Sequence, residues 1–153
     1  MAPERRRTKE ELDQEWSELV EEHRLAMPGT QVLFAFLFIL PFQQRFRDLT
    51  EGQTYVYYSA LLCAAVAIVL LIAPTAAHRM LWRQGDKEAL LRTSTFTAIA
   101  ATAFLAAGMT ASVYLITDLL FGRPATVIVA SVVAVAFVGF WYAFPLYRRL
   151  KEQ

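Results

Sequence analysis

Apolar and charged residues occur in separate blocks along this chain. Four stretches contain no Asp, Glu, Lys or Arg: Leu25 to Gln44, Gly52 to His78, Thr93 to Thr117 and Pro124 to Tyr147, of 20, 27, 25 and 24 residues. About 20 apolar residues of helix cross the hydrocarbon core of a bilayer. The pattern therefore predicts an all-α integral membrane protein, a four-helix bundle with spans near residues 30–46, 54–77, 93–121 and 124–147. A soluble helix would carry charge along one face for its whole length.

Ahead of the first block the pattern changes. Leu12, Trp16, Leu19 and Val20 recur at helical spacing, and Glu10, Glu11, Asp13, Glu15, Glu18, Glu21 and Glu22 take the other face. This predicts a cytoplasmic amphipathic helix within residues 1–28, ahead of a transmembrane domain at 29–153. Pro28 and Gly29 are expected to break the chain between them, with Thr30 as N-cap of the first span. The helix is acidic, a poor match for anionic headgroups. Its stripe of Leu12, Trp16, Leu19 and Val20 is expected to dock on the bundle ends or on a partner protein. The alternative is a helix lying on the membrane surface with Trp16 as anchor.

Punctuation places the remaining elements. Pro41, inside the first span, should kink the helix or leave the Leu37 carbonyl without its bond. Thr50 with Gln53 three residues on reads as a capping box for the second span, followed by Tyr55, Tyr57 and Tyr58 at the depth of an aromatic belt. Pro74 should bend that helix in its last turn. A turn at Gly85 and a cap at Asp86 precede a helix from Lys87 to Phe121, 35 residues and ~52 Å. Gly122 suits a helix end and Pro124 a helix start, which makes the last two spans antiparallel neighbours. Small residues four apart predict where helices approach closely: Ser59, Cys63 and Ala67, then Ala103, Ala107 and Ala111, then Gly139 and Ala143.

Charge decides orientation. Twelve of the 15 basic residues lie in the N-terminal tail, the second loop and the C-terminus, and Arg45, Arg47 and Arg123 are the other three. Lys and Arg stay inside, so both termini are expected in the cytoplasm, with the chain a multi-pass protein of the cell membrane. The first 24 residues carry eight acids and five bases with no apolar core close behind, so no cleavable signal peptide is expected. A net charge of +1 gives no reason to propose nucleic acid as a partner. The expected partners are the lipid bilayer, further copies of the chain, and a protein held by the N-terminal helix.

Candidate chemistry is sparse. Asp118 is the one acid close to a span, near the outer end of the third. A carboxylate there either serves as a functional ionisable group, as a proton-coupled carrier needs, or sits at the interface, where it meets water or pairs with Arg123, Arg45 or Arg47. Gln31, Arg45, Arg47, His78, Arg79 and Arg123 are candidates for polar contacts at the membrane boundary. His23 and His78 lie 55 residues apart, so no metal site is expected. Cys63 has no partner for a disulfide. Neither a nucleophile signature nor a glycine loop for phosphate is present, so neither an enzyme nor a cofactor is expected.

Several runs carry a resemblance. Gly29 to Phe36 with Leu40-Pro41-Phe42 and Arg45-Phe46, then Leu71 to Pro74 with His78-Arg79, then Thr117-Asp118, and Trp141-Tyr142 with Pro145-Leu146, are similar to a family of small bacterial membrane proteins with four spans and unknown function. Some similar sequences bear the label sodium:proton antiporter. The sequence thus favours a non-enzymatic structural, regulatory or partner-binding membrane module. The alternative is a small oligomeric proton-coupled cation transporter that uses Asp118.

Overall fold

A computed structural model describes residues 9–81 and 87–151. Four long helices run through them: α1 (Lys9–Ile39), α2 (Glu51–Leu81), α3 (Lys87–Phe121) and α4 (Arg123–Val138). The last continues through a π turn, Gly139–Ala143, into α5 (Phe144–Lys151). Four segments are long and apolar enough to cross a membrane: Gln14–Phe42, Glu51–Ala77, Leu91–Phe121 and Arg123–Arg148. Each helix packs chiefly on its neighbour in sequence, α2 on α3 most extensively, and α1 also touches α3. Residues 1–8, Trp82, Gly85 and Asp86 fall outside the described residues, and with them the expected turn and cap.

The α2–α3 seam is a small-residue coiled coil. On α2 the buried positions are Tyr57, Ala60, Ala64, Ala67, Leu71 and Pro74, spaced alternately three and four apart. On α3 they include Ser94, Ala101, Gly108 and Leu115, one every seven residues. A 3.5-residue repeat keeps one seam facing its partner along a gently supercoiled pair. Ala60, Ala64 and Ala67 are wholly inaccessible. A Cβ on Gly108 would lie 3.3 Å from the Ala60 carbonyl oxygen and 3.3 Å from the Cys63 Cβ. The two backbones therefore meet closely, as small residues allow. This corrects the expected stripes. Ser59, Ala103, Ala107 and Ala143 are exposed and a Cβ on Gly139 would meet nothing, whereas Cys63 and Ala67 do lie in the seam and Ala111 packs on the buried cluster. A strict spacing of four drifts around the helix, and the alternating three-four spacing follows the contact line.

α1 departs from expectation at Pro28 and Gly29. The helix runs without interruption from Lys9 to Ile39, with Pro28 inside it. Thr30 is not an N-cap: it is buried, and its hydroxyl donates back to the Ala26 carbonyl at 3.0 Å. Proline removes one intrahelical donor. Opening a loop would release several more backbone bonds than that one, and the helix continues through the proline. The acidic segment is accordingly an extension of the first apolar helix. A separate helix lying flat would need a break that α1 does not contain.

Pro41 acts as expected, and earlier than the expected end at residue 46. The α-helix stops at Ile39, and two 3-10 turns, Leu40–Phe42 and Gln44–Asp48, carry the chain round to α2. Their bonds run three residues back, from Gln43 to Leu40, Phe46 to Gln43 and Leu49 to Phe46.

At the other hairpin, α3 joins α4 through Gly122 alone. Its φ of 76° and ψ of 177° lie where a Cβ is strained. The Gly122 N–H closes α3 on the Asp118 carbonyl, and its own carbonyl accepts both the N–H and the hydroxyl of Thr126. Gly122→Ala should lower stability by roughly 1–2 kcal/mol through this backbone strain, measurable as a lower thermal midpoint in detergent. Pro124 occupies the first turn of α4.

The π turn has a local cause. Pro145 carries no N–H, and its ring crowds the carbonyl four residues earlier, that of Trp141. The helix widens just before it, where the Phe144 N–H bonds the Gly139 carbonyl five residues back.

Candidate functional site

The candidate polar site forms where the α2 N-terminus meets the α3 C-terminus. The capping box is present. The Thr50 N–H donates to Gln53 Oε1 at 3.0 Å and the Gln53 N–H donates to Thr50 Oγ1 at 3.3 Å. That exchange uses only the oxygen of the Gln53 amide. Its Nε2 donates to Asp118 Oδ2 at 2.8 Å across the seam. A glutamate could close the same box, but only glutamine also brings donors. One side chain thus caps α2 and fastens it to α3.

Asp118 is half-buried, and Gln53 is its hydrogen-bond partner. Among the described residues no arginine forms an ion pair with it, so of the two interfacial alternatives the pairing with Arg123, Arg45 or Arg47 is not the one seen. Arg123 is exposed at the start of α4. Arg45 and Arg47 are exposed on the 3-10 turn; Arg45 and Asp48 line a cavity of about 580 Å³ with Leu49, Ile116, Leu119 and Leu120. These arginines share the Asp118 end of the bundle without closing on it. Gln53→Glu keeps the box and turns a donor toward Asp118 into a second carboxylate. It should cost about 1 kcal/mol at neutral pH. The loss should shrink on acidification, because protonating either carboxylate restores a donor; thermal midpoints at two pH values check this.

Next to this clasp lies the bundle's buried cluster: Leu37, Tyr57, Ala60, Ala64 and Leu115, with Phe46 and Leu49 against it. The Tyr57 hydroxyl donates to the Leu37 carbonyl at 2.9 Å. Leu37 stands four residues before Pro41, so its carbonyl is the one that proline deprives of an N–H. Tyr57 supplies the missing donor, and its ring meets Phe46 edge-on at 4.8 Å. Sequence reasoning identified the deprived carbonyl and assigned Tyr57 to the aromatic belt. Tyr55 and Tyr58 are exposed and fit a belt; Tyr57 is buried.

The other candidates are dispersed. Gln31 is exposed on α1, away from the clasp in sequence and on another helix. His78 and Arg79 belong to the last turns of α2, and their side chains lie outside the described residues, as does that of Leu12. Trp16 and Leu19 are half-buried and Val20 is exposed. Among the described residues no group of three or more His, Cys, Asp or Glu could hold a metal ion.

A second polar contact joins α3 to the π turn, and nothing in the sequence analysis pointed to it. The Tyr142 hydroxyl lies 3.0 Å from Thr102 Oγ1 and 3.2 Å from the Ile99 carbonyl. It pins the widened turn to α3.

These bonds cap helix ends, fill a vacancy left by proline and fix one helix on another. They assemble neither a nucleophile with its base nor a ligand cage. No curated protein and no solved structure matches the chain. A family model does match, over residues 5–145, nearly the whole of it. On that match the chain belongs to a family of unknown function, DUF6328.

Proposed function

We propose that the protein is a multi-pass module of the cell membrane with no catalytic role, which holds a partner through the exposed part of α1. The observation that carries this reading is the state of Asp118. Its carboxylate is engaged by a capping glutamine at the end of two helices, and it does not line the cavity beside Arg45 and Asp48. A carrier working through Asp118 would need that group in a polar path reaching into the bundle.

The length of α1 supports the partner role. Its 31 residues rise ~46 Å, against about 30 Å of hydrocarbon. About ten residues therefore stand clear, and they carry most of the acidic face along with Trp16. The 12-to-3 distribution of basic residues supports placing this end, and both termini, in the cytoplasm.

The test is a pull-down of the full-length protein under mild detergent. A copurifying protein should be retained, and Trp16→Ala should reduce it severalfold without changing the yield of folded protein. If nothing copurifies, the partner role is wrong. A proton or sodium flux in proteoliposomes that vanishes in Asp118→Asn would replace this reading with the oligomeric carrier.

A further inference from the structure

The cavity of about 580 Å³ near the clasp has two unlike walls. Arg45 and Asp48 come from the 3-10 turn Gln44–Asp48, three residues apart. Side chains at that spacing eclipse in a 3-10 helix, so the two opposite charges leave the turn on one side. Yet neither forms an ion pair with the other or with any other described residue. The opposite wall is apolar. Ile116, Leu119 and Leu120 share one face of the last turns of α3, and Leu49 joins them. The three α3 side chains are each more than half exposed. Three of the apolar segments have an end close by in sequence, at Phe42, Glu51 and Phe121. The cavity therefore lies where hydrocarbon gives way to headgroups.

We infer that this cavity seats the headgroup of an amine-bearing zwitterionic phospholipid, a phosphatidylethanolamine, with its phosphate on Arg45 and its ammonium on Asp48. Charge selects the occupant. A guanidinium presents a planar fork of donors that matches a phosphate. An ionised carboxylate only accepts hydrogen bonds, so it matches a cation that carries N–H groups. A simple anionic lipid satisfies Arg45 and is repelled by Asp48. A choline headgroup has both charges but brings no N–H to Asp48. The pair together calls for a group of both signs with donors at its cationic end.

The apolar wall selects a lipid over a free zwitterion. Ile116, Leu119 and Leu120 stand where the acyl chains of a seated lipid begin, and burying their methylenes adds a favourable term that the bare headgroup lacks. Leaving a lone charge beside apolar side chains at this boundary is costly, and a zwitterion neutralises both charges at once. Arg47 lies on the same turn and Arg123 at the start of α4, but neither lines the cavity. The pairing is therefore specific to two residues, and the general positive charge of this end does not account for it.

The inference rests on the membrane reading and not on any partner for α1, so an empty pull-down would leave it standing. The test uses full-length protein, delipidated in mild detergent and weighed by native mass spectrometry. It is titrated with the ethanolamine, choline and glycerol phospholipids, all with the same dioleoyl chains. Wild type should retain one ethanolamine lipid per chain, about fivefold more tightly than the other two, the effect of one net hydrogen bond. Asp48→Asn should abolish that preference, and Asp48→Lys should turn it toward the anionic glycerol lipid. Arg45→Gln should weaken all three lipids alike, because each carries the phosphate. Arg47→Gln, on the same turn but outside the cavity, should change nothing. Arg45 and Asp48 are exposed, so these changes leave the packed core intact. Glycerophosphoethanolamine, the headgroup without chains, should fail to displace the lipid at about a hundredfold excess, since it lacks the buried methylenes. Equal retention of the three lipids by wild type overturns the proposal, and so does a preference that survives Asp48→Asn. Displacement by the free headgroup would make the ligand a soluble zwitterion and overturn it too. A dimer that Arg45→Gln dissociates would put a second copy in the cavity instead. Failure to bind any of the lipids would overturn the membrane reading with it.

Discussion

Gly108→Leu should disrupt this protein more than any other single change on α3. A Cβ at Gly108 already lies 3.3 Å from two atoms of α2, and 3.5 Å from the Ala64 nitrogen. Two of those three neighbours are backbone, which cannot turn aside as a flexible side chain would. Alanine would require a shift of a few tenths of an ångström. Leucine adds three more carbons in a seam whose facing positions, Ala60 and Ala64, have no accessible surface. Overpacking of this kind costs about 1–3 kcal/mol, occasionally more, and here the upper end applies because the helices must part along their main interface. Unfolding followed by helical signal in increasing SDS should show a graded loss from glycine through alanine to leucine. Equal midpoints for glycine and leucine would mean that α2 and α3 do not meet here.

The second large effect is conditional. Tyr57→Phe keeps the ring against Phe46 and removes only the hydroxyl that reaches Leu37. The Leu37 carbonyl is then left without a donor in a buried cluster, at a cost of about 1–3 kcal/mol. Pro41→Ala restores a backbone N–H at the position that would normally serve that carbonyl. The loss from Tyr57→Phe should therefore shrink by at least half in the Pro41→Ala background. A double-mutant cycle in the same unfolding assay measures that coupling. Strictly additive effects would break the link between the proline and the tyrosine.

Much of this architecture can be read from residues whose physics is local. Charge-free blocks mark the four long helices, Thr50 with Gln53 marks the start of α2, and Pro41 marks a carbonyl in need of a donor. Gly122 before Arg123-Pro124 marks the tightest turn. What escapes a linear reading depends on distance across the fold. Gln53 and Asp118 are 65 residues apart, and nothing in either neighbourhood names the other. Tyr57 is one of three tyrosines in a four-residue run, and only packing separates the buried one from its exposed neighbours. The seam is hidden by abundance, since alanines on every face of α2 and α3 satisfy several spacings at once. Pro28-Gly29 misleads for a different reason: the pair commonly ends helices, but a proline removes a single intrahelical donor, and α1 carries it without a break.

The order of packing has a consequence for how the chain comes together. α2 lies on α1, α3 on α2, and α4 on α3, so the contacts that matter are mostly between consecutive segments. Little loop entropy has to be surrendered before each new docking step is rewarded. Synthesis proceeds from the N-terminus, and every helix after the first finds its seat on the one made just before it. α2 completes its larger interface when α3, the next segment made, arrives.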